Sequence, residues 1–371
     1  MATPYLPATL LAFLALHSPF SWAAPGNKAP IIVAQAADLS GAGADFSRDY
    51  SLGAKVYFDQ INAQGGINGH PITYRLKDTA GNPSQALSVS RELIAGGARV
   101  LLGPQGDSQV DALVQEAQGK PAFPAVFGAI GGRTGVPTGI PPVIRLRASR
   151  ADEAAAIFKQ LSSIGVVNFG LIAGNGLSED ALRQLRSVAE SAGAKIVAQG
   201  RLDPNAPNGA EHAASTMVKA RPQATLVMTD TLSAAQVFRH YRRLDPGAFL
   251  CATSEVNVKT LIAIMGAQAA RGLILSQVSP NPAGIGDLAR EHRGLMEKYA
   301  DEPASPATLE GFIAAKVLVK TLQQQENGNN ENWLPRGKLD LGGYILDFTR
   351  GDTASHFVEL TVVNRQGKLQ R

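Results

Sequence analysis

Short apolar runs, each followed by a longer stretch with helical spacing, recur along most of this chain. They fall at residues 31–34, 72–74, 100–102, 124–127, 169–172, 225–228 and 273–276. Continuous apolar runs of this length are what strands buried on both faces present, and helices between them make the sheet parallel. A helix is predicted over 47–62, where Tyr50, Ala54, Tyr57, Phe58 and Ile61 recur every three or four residues and Gly65-Gly66 ends the pattern. Asn82-Pro83 opens another that runs to Ala95, ahead of Gly96-Gly97. Segments 152–164, 178–192 and 309–324 carry the same periodicity, and 323–332 reads as a polar surface loop. Alternating strand and helix gives an α/β architecture. In open parallel sheets ligands bind beyond the carboxyl ends of the strands, so loops 38–45, 103–108, 128–134, 174–179, 230–233 and 253–257 are where function is expected.

The amino terminus bears on the compartment. Residues 9–16 are apolar, Pro19 follows, and Ser21 and Ala23 are small residues of the kind a signal peptidase reads. The run is too short to span a bilayer, so a cleaved signal peptide over 1–23 is expected, although no Lys or Arg precedes the apolar core. No Cys follows the run, so no lipid anchor is expected. The remainder of a 371-residue chain exceeds one ordinary core and argues for two domains. A composition 44% hydrophobic and 18% charged is that of a folded globule. The lone Cys251 lies in an apolar run and reads as a small buried hydrophobe, with no disulfide framework.

Candidate chemistry narrows the function further. The formal charge of +4 comes from dispersed Lys and Arg whose densest cluster is 239–243, and together with export it argues against a nucleic-acid partner. Gly41 and Gly43 follow the first strand, but Phe46 stands where a dinucleotide fingerprint needs its third glycine. The six His are scattered without metal-ligand spacing, and no G-x-S-x-G elbow occurs. Glu153, Glu179 and Glu310 fall inside helical patterns, where solvated faces are expected. No enzyme, metal or cofactor is indicated.

Residues 53–69, Gly-Ala-Lys-Val-Tyr-Phe-Asp-Gln-Ile-Asn-Ala-Gln-Gly-Gly-Ile-Asn-Gly, resemble a helix and turn of the leucine/isoleucine/valine-binding protein family, the type I periplasmic receptors of ABC importers. The resemblance continues through Lys77-Asp78-Thr79, Pro83, Ala86, Gly103-Pro104, 145–149, 309–316, 341–344 and 357–360 in the same order. It implies two Rossmann-like lobes with parallel sheets joined by three crossovers, near Ala148-Ser149, 276–280 and 350–355. Lobe one then takes 28–148 and 280–350, and lobe two 149–279 and 351–371. The resemblance also implies a periplasmic monomer that closes on a small-molecule ligand and presents it to ABC permease and ATPase components. A periplasmic sensor that signals its liganded state to another partner shares the same fold.

By position, the resemblance places ligand contacts in lobe one at Ser108 and at Ala129 and Gly131, with Ile130 giving backbone or an apolar wall. Ser108 also suits a plain helix cap. Asp107 departs from the family, and facing the crevice it favours a cationic or hydrogen-donating ligand group. In lobe two, Leu177 stands where the family's amino-acid binders place a Tyr, within a loop that includes Asn175, and Thr231 lies near a second such position. Glu255 falls near the family's amine-binding acid and either faces the ligand or lies exposed at a helix start. An aliphatic amino acid is the leading ligand if Glu255 or Asp107 reaches the crevice; an apolar carboxylate or neutral amide fits if neither does.

Overall fold

The computed structural model describes residues 28–120, 122–131, 143–174, 177–203, 206–325, 337–349 and 353–370. The expected signal peptide and most of the polar segment 323–332 lie outside the described residues.

The first half of the chain alternates strand and helix as its apolar runs dictate. β1 (Ile31–Ala37), α1 (Ala44–Ala63), β2 (Ile72–Asp78), α2 (Pro83–Ala95), β3 (Val100–Leu102), α3 (Asp107–Ala117), β4 (Ala125–Phe127) and β5 (Val143–Ile144) form a five-stranded sheet ordered β2-β1-β3-β4-β5. Every pairing in it is parallel. α2 begins where the sequence places it, because the Asn82 side chain accepts from the Ser84 and Gln85 amides and Pro83 needs no partner there.

The second sheet is built from α4 (Arg150–Ser162), β6 (Asn168–Gly174), α5 (Glu179–Ser191), β7 (Lys195–Leu202), α6 (Gly209–Ala220), β8 (Ala224–Met228), α7 (Thr231–Leu244), β9 (Phe249–Ala252), α8 (Val258–Met265), α9 (Ala267–Ala270) and β10 (Ile274–Gln277). The chain then returns to the first lobe as α10 (Asp287–Tyr299), α11 (Pro306–Gln324) and a small antiparallel pair, β11 (Lys338–Asp340) and β12 (Ile345–Asp347). It ends in lobe two with β13 (Glu359–Val363) and β14 (Leu369–Gln370). The order β14-β13-β10-β9-β8-β6-β7 is not wholly parallel, since β13 runs antiparallel to both β10 and β14. That edge arrives without a crossover helix, so nothing imposes parallel pairing on it.

Each lobe has its own core. Lobe one packs Phe46, Phe58, Phe127 and Ile144 against Leu309, Phe312 and Leu318 of α11. Lobe two is cored on both faces of its sheet, by Phe238, Tyr241 and Leu250 on one and Phe158, Phe169 and Leu185 on the other. Two glycines fix the contact of α1 with α11: a Cβ on Gly53 would lie 1.8 Å from the Thr308 carbonyl oxygen, and one on Gly311 would lie 1.8 Å from that of Tyr50. The backbones therefore touch, which carries α11 and its Glu310 to the rim of the crevice between the lobes.

Candidate functional site

The carboxyl ends of both sheets face each other, and helix starts line the gap. Beyond β3, positive φ angles at Gly103 and Gly106 turn the chain so that Asp107 becomes the first residue of α3. The loop after β4 zips onto this turn: the Gly106 N–H donates to the Ile130 carbonyl (2.8 Å) and the Ile130 N–H to the Pro104 carbonyl (2.9 Å). On the lobe-two side, Ser149, Ser178, Asp230 and Asn257 cap α4, α5, α7 and α8 through their side chains. Ser149 and Asp152 form a reciprocal capping box, which fixes the start of α4 and the direction in which Arg150 leaves it.

Two arginines hold the centre. Arg150 grips Glu255 with Nε (2.6 Å) and Nη2 (2.9 Å), while its Nη1 donates to Asp107 Oδ1 (2.7 Å). Asp107 Oδ2 also accepts from the Ser178 amide (3.2 Å), so one lobe-one carboxylate meets two lobe-two elements. Arg147 donates from Nη1 to Glu310 Oε2 (2.9 Å), from Nη2 to Glu153 Oε1 (3.0 Å), and to the Ser254 hydroxyl. Glu153 is completed by the Ser254 amide (2.7 Å) and the Ser276 hydroxyl (2.6 Å). Further out, the Asn257 amide group donates to Asp49 Oδ2 (3.0 Å), and Asp45 lies by Thr231 and Thr260 with burial raising its carboxyl.

The charges do not balance. Arg147 and Arg150 face four carboxylates: Asp107, Glu153, Glu255 and Glu310. Burial pushes the Glu255 carboxyl up, but the Arg150 charge and its two hydrogen bonds outweigh this and hold it below its ordinary value. Glu310 goes the other way: burial drives it up to about 7, against the pull of Arg147 and helped by Glu153 and Glu255.

The structure brings some of the sequence-predicted site residues together between the lobes and places others away from the crevice. Asp107, Glu255, Gly131 and Thr231 all line the junction of the lobes. Gly131 has φ +101°, and a Cβ there would come within 2.8 Å of Asp107 Oδ1 and 2.9 Å of Arg150 Nη1. Thr231 starts α7 and its hydroxyl accepts from the Asn257 amide (3.0 Å). Ile130 is buried beside Tyr50 and Gly128 as an apolar wall. Ala129 is not available as an amide donor, because its N–H already donates to the Ile144 carbonyl (3.1 Å). Ser108 is exposed and is not the helix cap, a place taken by Gly106. Leu177 packs into the lobe-two core with Leu182 and Leu185 instead of facing the crevice. Asn175 lies outside the described residues.

The pattern reading also misplaced two acids and missed the two arginines. Glu153 and Glu310 are buried ion-pair partners, not solvated helix faces; only Glu179 is exposed, paired with Arg201. Their positions beside Ala154 and Gly311, on helix faces crowded with small residues, were the available signal. Among the described residues no group of His, Cys, Asp or Glu is placed to hold a metal ion. Cys251 is buried in β9 and burial pushes its thiol up to about 12, away from reactivity.

A family model described as periplasmic binding protein matches residues 30–332 of this chain. The chain belongs to that family. Within it, the likeness is to the leucine/isoleucine/valine-binding branch: 35% identity over 104 residues to the Leu/Ile/Val-binding protein BraC3 of Rhizobium johnstonii, covering 28% of this chain and 26% of that one. An amino acid binding protein of Pseudomonas aeruginosa is 38% identical over 66 residues, 18% of each chain. These matches span about a quarter or less of the relatives' own lengths. The fold likeness is complete: a substrate-binding periplasmic protein from Ralstonia solanacearum superposes with a TM-score of 0.83 at 28% identity, covering 91% of this chain and 99% of that chain. The branched-chain amino acid transporter substrate binding protein LivJ from Streptococcus pneumoniae, solved with isoleucine, gives 0.78 at 17% identity over 92% and 98%. Proteins of this family bind substrates, and the two-lobed arrangement here is that of a type I periplasmic binding protein.

Proposed function

We propose that this protein is an exported receptor that closes on a small amino-acid-like solute and delivers it, as a monomer, to the permease and ATPase of an ABC importer. The lobe boundaries assumed are 28–148 with 280–350, and 149–279 with 351–371. The observation that carries the reading is the convergence of Asp107 from lobe one and Glu255 from lobe two on the single guanidinium of Arg150. Two carboxylates sharing one cation leave negative charge to spare in the crevice. A micromolar ligand has only about 8 kcal/mol of binding free energy, and burying its ammonium without a counter-charge costs several kcal/mol. A carboxylate already held at the junction removes that obstacle. The ligand's own carboxylate would take the Arg150 donor now on Asp107, at the positive end of the α3 dipole. The names of the Rhizobium and Pseudomonas relatives point the same way.

A thermal-shift panel of aliphatic α-amino acids, the matching des-amino carboxylates and the matching amides tests this directly, because a specific binder raises the melting temperature by mass action. The amino acid is expected to shift wild type, and Glu255→Gln is expected to lose that shift while remaining folded. A panel in which only the des-amino acid or amide binds, or in which Glu255→Gln binds the amino acid as well as wild type, rejects the zwitterion reading.

A further inference from the structure

Two of the three connections between the lobes line one small cavity, and the third is tied to its wall. Arg147 comes from the segment joining β5 to α4 and Val278 and Ser279 from the segment after β10, while Ser355, in the segment leading into β13, is reached through the lining residue Tyr344. Tyr344 ties two of them together: its hydroxyl donates to the Val278 carbonyl (3.1 Å) and lies 2.9 Å from the Ser355 hydroxyl, from which it can accept. Glu310 points into this space from α11, almost wholly buried at 7% exposure. Only one of its oxygens is engaged: Oε2 receives Arg147, while Oε1 has no hydrogen-bond partner among the described residues. The Ser279 hydroxyl, 2% exposed and on the same cavity wall, has none either. The cavity is roomy enough for roughly one water.

A buried carboxylate oxygen with neither donor nor water is strongly disfavoured, whereas a protonated one is a donor that needs only an acceptor. The surroundings favour the proton. From α4 come Glu153 and Arg150, from the loop after β9 Glu255, from the β5–α4 segment Arg147, from α1 Tyr50, and from the β11–β12 turn Tyr344. Arg147 is shared with Glu153, and Arg150 is committed to Glu255 and Asp107, so neither of these two arginines neutralises Glu310 alone. Ser279 offers the acceptor, directly or across one water.

We propose that Glu310 is the proton-bearing residue of the hinge: closing the lobes loads a proton onto its Oε1, and opening releases it. Closure removes the water that otherwise solvates the ionised carboxyl and brings the lobe-two Glu153 onto the same Arg147. The proton comes from solvent and returns to it, so closure is favoured at lower pH, weakens as pH rises toward 7 and levels off above it. The elevated titration of Glu310 agrees with this arrangement. The inference rests on the hinged two-lobe reading but not on the identity of the ligand. A ligand panel in which nothing binds would leave it standing.

The test uses the whole mature protein without ligand. Small-angle scattering from pH 5 to 8.5 is expected to show the radius of gyration rising between pH 5 and about 7 and level above that in wild type, while Glu310→Gln, which keeps the shape and carries no titrating group, stays compact throughout. Carboxyl carbon NMR on glutamate-labelled protein supplies a readout that does not depend on lobe motion: one resonance is expected to titrate near 7 and to be missing from Glu310→Gln. A wild-type radius independent of pH, a curve shared by wild type and Glu310→Gln, or the lack of any glutamate titrating above pH 6 overturns the proposal.

Discussion

Replacing Arg150 with Met removes the one group that holds Asp107 of lobe one and Glu255 of lobe two together. The three side chains are 15%, 9% and 13% exposed, so the pair is close to buried when the lobes are shut. Removing one partner of a buried pair costs about 3–5 kcal/mol because the remaining charge is stranded. Here two carboxylates are stranded, facing each other, yet both regain water as soon as the lobes part. The cost therefore falls on closure and not on the folding of either lobe. Taking about 3 kcal/mol, at the low end because some solvent reaches all three groups, closure becomes roughly a hundredfold less favourable. Arg150→Lys keeps the charge without the planar fork that spans Glu255 and Asp107, and an intermediate loss is expected. Scattering reads closure and urea denaturation reads folding on the same samples. Arg150→Met is expected to be larger in radius than wild type, with unfolding free energy changed by no more than about 1 kcal/mol. A variant as compact as wild type, or one that loses its folding stability instead, refutes the reasoning.

Other perturbations isolate other parts of the account. Gly311→Ala drives a methyl into the Tyr50 carbonyl oxygen and must separate α1 from α11, so a loss of about 3 kcal/mol or more is expected in urea denaturation. Gly294→Ala on α10 meets nothing within 4 Å, and the gain in helix propensity is expected to stabilise by about 0.5–1 kcal/mol; similar effects from the two changes would contradict the packing described. The folded-state value of Glu310 is raised from 4.5 to about 7, so the folded form holds a proton that the unfolded chain releases between those limits. Its contribution to stability is thus complete below pH 4.5, declines as pH rises toward 7 and levels off above, by at most about 3 kcal/mol. Denaturation at pH 5 and 7.5 should show that decline in wild type and lose it in Glu310→Gln; equal slopes would remove Glu310 as its source.

The architecture was legible because the apolar runs are buried on both faces and the helices between them carry strong stop and start residues. The runs over 100–102 and 225–228 became β3 and β8, and the Asn82-Pro83 start of α2 fell on the residue expected. Two strands that escaped notice lack such runs. β7 is an edge strand, largely half-buried or exposed along Lys195–Leu202, and β13 pairs antiparallel on both sides with only two of its five residues buried. At the site, Asp107 and Glu255 were visible because each follows a strand and opens toward a helix. Arg147 and Arg150 were not, because an arginine beside a helix start reads equally well as a solvated residue. Only the meeting of both lobes removes water from them. Leu177 illustrates the same limit from the other side, since a loop position predicts proximity to the crevice but not the direction of its side chain.

The central claim is that two lobes close around a small guest at the Asp107–Arg150–Glu255 junction, and scattering with and without a saturating amino acid drawn from the thermal-shift panel tests it most directly. The radius of gyration is expected to fall on adding that amino acid to wild type and to stay unchanged in Glu255→Gln. A bound, saturated wild-type protein whose radius does not move would contradict it.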